Sequence, residues 1–203
     1  PSNLAANLYN RGAKVQLLNI GIWGILWMLA RRDGLKTLAD FKGEEVVMPF
    51  RGDMPDAVFR LLCTKQGINP DKDLTLRYVA SLLITRRADN ALLADPAIAV
   101  GLRKTQSFPV SAIAPTLYRS VSIQAEWGRV FNRDPHFPQA GIVALGAQLG
   151  NKSLAAAMEA ACVEAQAWCE ANPDACGEMV AKRIDALTPE GVADAVKADD
   201  AKI

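Results

Sequence analysis

The sequence predicts an α/β fold in which short buried strands alternate with helices. Apolar runs such as "EVVMPF" and "NALLA" each give way to a stretch with helical spacing, and glycines stand where those helices should stop. From Asn151 onward an alanine-rich sequence reads as helix alone. Repeated strand, loop and helix units lead to an expectation of mainly parallel strands.

Taken in order, "PSNLAANLYNRG" is a helix that Ser2 or Asn3 caps and Gly12 ends. A domain seldom opens on a helix so abruptly, and a start upstream of Pro1 is expected. "AKVQLLNIG" reads as a buried strand, the Trp-Gly-Ile-Leu-Trp run as buried strand and turn, and "RRDG" as a polar turn. A helical turn in "LKTLADF" and a Lys-Gly stop lead into the strand "EVVMPF". The helix "MPDAVFRLLCTKQG" has Pro55 in its first turn, Val58, Leu61 and Leu62 as its apolar face, and Gly67 at its end. Then follow the strand "LTLRYV", the helical piece "SLLITRRA", the strand "NALLA" running into "DPAIAVGLRK", a strand at "FPVSAIAP", the helix "SIQAEWGRVF" and the strand "PQAGIVALG". The tail holds the helices "KSLAAAMEAACVEAQAWCEA" and "DACGEMVAKRI", parted by Asn-Pro, and a last helix begun by "TPEG".

A chain of 203 residues, half of them hydrophobic, can bury one large core or two small ones. With 23 basic and 22 acidic residues it has no general field for nucleic acid or an anionic membrane. The strongest apolar run, "IGIWGILWMLA", falls well short of the roughly 20 residues of a membrane span. No export signal is visible at the N-terminus. The single histidine, His136, and the lack of any CxxC pair argue against a structural zinc site, and no cofactor motif stands out. Cys169 and Cys176 flank Pro173, so they either meet in a disulfide, which implies an oxidising compartment, or remain small buried thiols.

One stretch invites a functional reading. In "FRGDMPDAVFRLL" an apolar strand ends in Arg-Gly-Asp and turns at once into a helix. Gly52 lets backbone approach a ligand, and the amides near Asp53 and Met54 lie at the positive end of the helix. Asp53 either caps that helix or touches the ligand. Arg51 suits the pairing of an anion and equally suits a solvated surface.

The order of these motifs resembles the solute-binding proteins of ABC importers, in the group that binds nitrate, sulfonate, taurine and bicarbonate and includes thiamin-precursor-binding relatives. The likeness is carried by "PSNLAANLYNRG", by "LADFKGEEVVMPFRGDMPDAVFRLLCTKQGINPDKDLTL", where "DFKGE" stands for the family's "DLKGK", by "RRADNALLADPAIA", and by "FPQAGIVALG" followed by an alanine-rich helix with "WCEANPDA". It implies a two-lobed α/β architecture, the periplasmic-binding-protein type II fold, with lobe one incomplete. Residues 1–35 are expected to form part of lobe one, 36–115 lobe two, and 116–203 a return to lobe one with C-terminal helices. A few residues are expected to be missing between Ser81 and Leu82 relative to the family.

With ligand between two lobes, Ser2 and Asn3 at a helix start either donate to it or only cap. Trp23 and Gly24 follow a strand at the crossing, where an indole can stack on the ligand or pack in the core. Asp95 ends a strand at its carboxyl side, where open α/β sheets place ligands, or caps the helix "AIAVGL". His136 lies in a loop before the last strand. The expected ligand-binding set is therefore Ser2, Asn3, Trp23, Gly24, Arg51, Gly52, Asp53 and Asp95. No catalytic or metal residues are expected.

The function so implied is delivery of a small polar or anionic solute to an ABC permease in the membrane, by a periplasmic, monomeric, non-enzymatic protein that binds no nucleic acid. A ligand-sensing domain of a transcription regulator is the alternative. An enzyme of pyrimidine-precursor synthesis is a weaker one, because its cysteine-rich motif has no counterpart here.

Overall fold

The computed structural model describes residues 2–49, 51–78, 88–113 and 116–198. Chain order begins α1 (Ser2–Asn10), β1 (Val15–Ile22), β2 (Leu26–Ala30), a 3-10 turn (Leu38–Phe41), β3 (Glu45–Val47), α2 (Met54–Lys65) and β4 (Thr75–Arg77). It continues β5 (Asn90–Ala94), α3 (Ala97–Gln106), α4 (Val110–Ile113), β6 (Tyr118–Ser122), α5 (Ile123–Phe131), β7 (Ala140–Leu145), α6 (Lys152–Ala171), α7 (Pro173–Ala181) and α8 (Pro189–Lys197).

Five strands form one sheet in the order β4-β3-β5-β2-β6. Its side chains alternate between two faces, as the pleat requires. Leu26, Met28, Val46, Met48 and Leu92 join Phe59 and Leu62 of α2 and Ile123 of α5 in the main core. Leu29, Val47 and Ala91 pack on the opposite face with Ile98 of α3. Helices thus cover both faces, and the inner strand β2 leaves only Trp27 partly accessible. On α2 the buried apolar residues are Val58, Phe59, Leu62 and Cys63, while Leu61 is 40% exposed.

A second sheet holds β1 and β7 alone. They run antiparallel from Val15 beside Leu145 to Ile22 beside Ala140. Gly141 has no side chain because a Cβ there would stand 2.0 Å from the Asn19 carbonyl oxygen. With one neighbour, β1 is not the buried strand that its sequence predicts: Leu17 and Leu145 are each 52% exposed. Helix α6 lies on this side, tied by the Gly150 amide to Gln16 Oε1 at 2.8 Å, and buries none of its residues. Past Asn172-Pro173 the chain turns back, the Cys169–Cys176 disulfide joins α6 to α7, and α8 packs on α3. Of the two readings of that cysteine pair, the bridge is the one present.

Three further expectations are corrected. The strands are not mainly parallel: β3 is parallel to β4 and β5, but β2 is antiparallel to both β5 and β6, and β7 to β1. "FPVSAIAP" contains the short helix α4 and no strand, since Pro109 suits a helix entry, where its missing N–H is no loss. The strand β6 is absent from the sequence reading because its middle is polar. Arg119 there pairs with Asp95, and the Ser120 hydroxyl donates to the Leu35 carbonyl. The helical piece "SLLITRRA", apart from its last residue Ala88, and the gap expected between Ser81 and Leu82 lie outside the described residues.

Candidate functional site

Two segments pass between the sheets side by side. The Phe137 amide donates to the Trp23 carbonyl at 3.0 Å and the Gln139 amide to that of Ile22 at 2.9 Å. The Gln139 side-chain oxygen accepts from the Ile25 amide at 3.4 Å. The crossing is thus a short antiparallel pair continuous with β1 and β7 on one side and β2 on the other.

Strand direction decides what surrounds it. Leu26, the first residue of β2, pairs with Ala94, the last of β5, so β5 ends at the crossing, and the Asp95 amide donates to the Ile25 carbonyl at 3.0 Å. Strands β3 and β4 run parallel to β5 and end at the same edge. Strand β6 does so too, with Ser122 beside Trp27. The loops that open α2, α3 and α5 therefore share the edge where the chain crosses, which is where open α/β sheets hold ligands.

Ser2 is clipped to the crossing, with its amide 2.9 Å from the Gln139 carbonyl and its hydroxyl 2.7 Å from that of Pro138. The Asn3 Oδ1 atom is buried without a hydrogen-bond partner. Trp23 is 40% exposed, and its indole N–H donates to the Ile20 carbonyl at 2.9 Å. Gly24 is buried beneath Gln124. Ser2, Trp23 and Gly24 come together at the crossing, and Asn3 follows Ser2 in the first turn of α1.

Arg51, Gly52 and Asp53 form the loop that opens α2. Gly52 has φ +78°, a left-handed conformation that L side chains rarely adopt, and open space where a Cβ would stand. Its amide is not bare, however: it donates to Asp56 Oδ2 at 2.7 Å, and the Met54 amide donates to Asp53 Oδ1 at 2.8 Å. Asp53 therefore caps α2. The exposed Arg51 guanidinium lies 5.6 Å from the centre of the Tyr78 ring. Asp95 is buried; it pairs with Arg119 at 2.9 Å and accepts the Ala99 amide at 3.3 Å, so it serves α3 and the sheet. His136 stands 2.6 Å from Asp134 in the loop before the crossing.

Sequence reasoning missed Asp56, Gln124 and Gln139. Asp56 had a local signal: an acidic residue three positions after the Asp53 cap can reach back to an amide ahead of the helix. The two glutamines had none, because their partners lie about a hundred residues away in the chain. A depression lined by Arg60, Thr64, Asn69 and Asp71 lies toward the far end of α2, and Arg60 and Asp71 close part of it as an ion pair. Among the described residues no acidic, cysteine or histidine cluster fits a metal ion, and no helix is long and apolar enough to cross a membrane.

No protein-family model and no curated protein sequence matches the chain. Solved structures do. The periplasmic aliphatic sulphonate-binding protein of Escherichia coli superposes with a TM-score of 0.67 at 15% identity, over 94% of this chain and 57% of its own. For the periplasmic nitrate-binding protein of Synechocystis the values are 0.67, 17%, 97% and 53%. For an ABC transporter structure from Parabacteroides distasonis they are 0.65, 22%, 93% and 62%. The chain thus spans between 53% and 62% of the length of these three proteins. Over that span it has the α/β fold of the ABC-importer periplasmic binding proteins of the sulphonate and nitrate group, as a partial two-lobed structure.

Proposed function

We propose that this chain belongs to a solute-binding protein that delivers a small polar or anionic solute to an ABC permease. The solute class is the one suggested by its structural neighbours, whose names specify sulphonate and nitrate, extended to taurine, bicarbonate and pyrimidine precursors. The observation that carries the proposal is the shared edge: three helix-opening loops and the two crossing segments meet at one end of the five-stranded sheet. The ligand lies there between the lobes, and lobe closure reports its presence to the permease.

The proposed contacts are Ser2, Asn3, Trp23 and Gly24 from the crossing, Arg51, Gly52 and Asp53 from the loop before α2, and Asp95 beyond β5. Because Asp53 and Asp56 already occupy the Met54 and Gly52 amides, the charge of an anion falls to Arg51. We place the lobe boundaries at the crossing, so that lobe two takes in β2 and β6 besides residues 36–115. The protein acts in the periplasm as a monomer and catalyses nothing. The Cys169–Cys176 bridge supports an oxidising compartment.

Thermal-shift measurements against nitrate, methanesulfonate, taurine, bicarbonate and aminopyrimidines test this reading. A ligand at a hundred times its Kd stabilises by about 2.7 kcal/mol, which is a readable shift. A flat response to every class would reject it.

A further inference from the structure

We infer that the side-chain amide of Gln124 is a ligand-binding group at the crossing, donating from Nε2 to an oxygen of the bound solute; the inference rests on the binding role proposed above. Gln124 is only 5% exposed, and it sits in the first turn of α5, which the Ser122 hydroxyl caps through the Ala125 amide. Its Oε1 accepts the Leu26 amide at 3.3 Å, where β2 leaves the crossing. That bond settles which way the carboxamide faces, since the flipped orientation would set two donors against each other. Nε2 is left buried with no hydrogen-bond partner.

An unpartnered buried donor is expensive, and native proteins keep one where something else satisfies it. The segment of the crossing packed against it is a glycine. The Gln124 side chain runs along Gly24, where a Cβ would come within 3.3 Å of its Cβ and Cγ, so the crossing chain is stripped of side chain where the amide lies. A second orphan belongs to the residue after Ser2, which is clipped to the crossing. Asn3 Oδ1 is also buried and unpartnered, and its neighbour Ser2 is fastened to Pro138 and Gln139. The first turn of α5 adds its partial positive end to the Gln124 side, which selects an oxygen bearing negative charge, as in a sulfonate, nitrate or carboxylate.

The test combines side-chain amide NMR with one substitution. Gln124→Glu keeps an oxygen for the Leu26 amide but replaces the donor with a carboxylate, and the missing resonance pair assigns the Gln124 signals. Nitrate, methanesulfonate, taurine and bicarbonate are titrated into both proteins. The expected result is that the probe which stabilises the native protein moves the Gln124 Nε2 signals and binds Gln124→Glu at least about tenfold more weakly. Unmoved signals together with unchanged affinity mean that Nε2 serves an ordered water only, which overturns this inference and leaves the binding proposal standing. A native protein that responds to no probe overturns both. If Gln124→Glu fails to fold, the movement of the native signals decides alone, with the amide then assigned from backbone-linked spectra.

Discussion

The Gly52 amide donates to the Asp56 carboxylate at 2.7 Å, and Asp56 also accepts from Arg60 at 2.8 Å and from the Tyr78 hydroxyl at 3.1 Å. One buried carboxylate thus holds the loop before α2, the middle of α2 and the end of β4. Arg60 donates in turn to Tyr78, and this bond leads the interactions that push its guanidinium still further toward the charged form. Removing the carboxylate leaves the Gly52 amide and the Tyr78 hydroxyl without their acceptor and strips Arg60 of its most buried partner, with only Asp71 and Tyr78 remaining to it. Asp56→Ala is expected to lower stability by about 3 kcal/mol, read as a lower urea midpoint. A loss below about 1 kcal/mol would mean that solvent replaces these bonds freely.

Gly52 itself separates binding from stability. Its φ of +78° strains any residue with a Cβ, yet nothing lies within 4 Å of where that atom would stand. Gly52→Val should therefore cost about 1–2 kcal/mol from the backbone alone and leave the fold intact. If the loop touches the solute, the same change moves Arg51 and abolishes the thermal shift produced by the stabilising probe. Unchanged affinity would remove this loop from the site.

Local chemistry explains what was legible in advance. The α2 helix was readable because its cap, its Pro55 and its terminal Gly67 all act within a few residues, and β3 and β5 were readable as unbroken apolar runs. β6 was not, because Arg119 and Ser120 look like surface residues until Asp95 and the Leu35 carbonyl are brought beside them. The exposure of β1 was also illegible, since burial depends on how many neighbours a strand finds. At the site the Gly52 loop announced itself by composition, while Gln124 gained meaning only when the crossing placed it on Gly24.

The four cysteines should fall into three classes. Cys169 and Cys176 are bonded to each other, Cys162 is a partly accessible free thiol, and Cys63 is buried, with burial pushing its thiol up to about 12. Alkylation of the native protein at pH 8 without reductant should label Cys162 quickly and Cys63 hardly at all. Denaturation alone should expose Cys63, and only added reductant should release Cys169 and Cys176. Replacing Cys169 and Cys176 together with serine should cost roughly 2–3 kcal/mol, as expected for closing so short a loop. Four thiols in the unreduced, denatured protein would mean that the bridge does not form.

The attachment of α8 to α3 should make stability depend on acid. Arg103 forms a two-pronged ion pair with Asp194 and, through that hydrogen bond first of all, holds its carboxyl below the usual carboxylate range. A depressed native pKa means that the unfolded chain binds the proton more readily. The pair's contribution is therefore fully present above about pH 4 and is lost as pH falls through the lower native value. Asp40 acts in the same direction, because the Lys36 and Thr37 amides donate to its carboxylate. Asp194→Asn should consequently be less stable than the native protein at pH 7, with the gap narrowing toward pH 3, as read from urea midpoints across that range. A gap that stays constant with pH would show that Asp194 holds α8 by packing and not by charge.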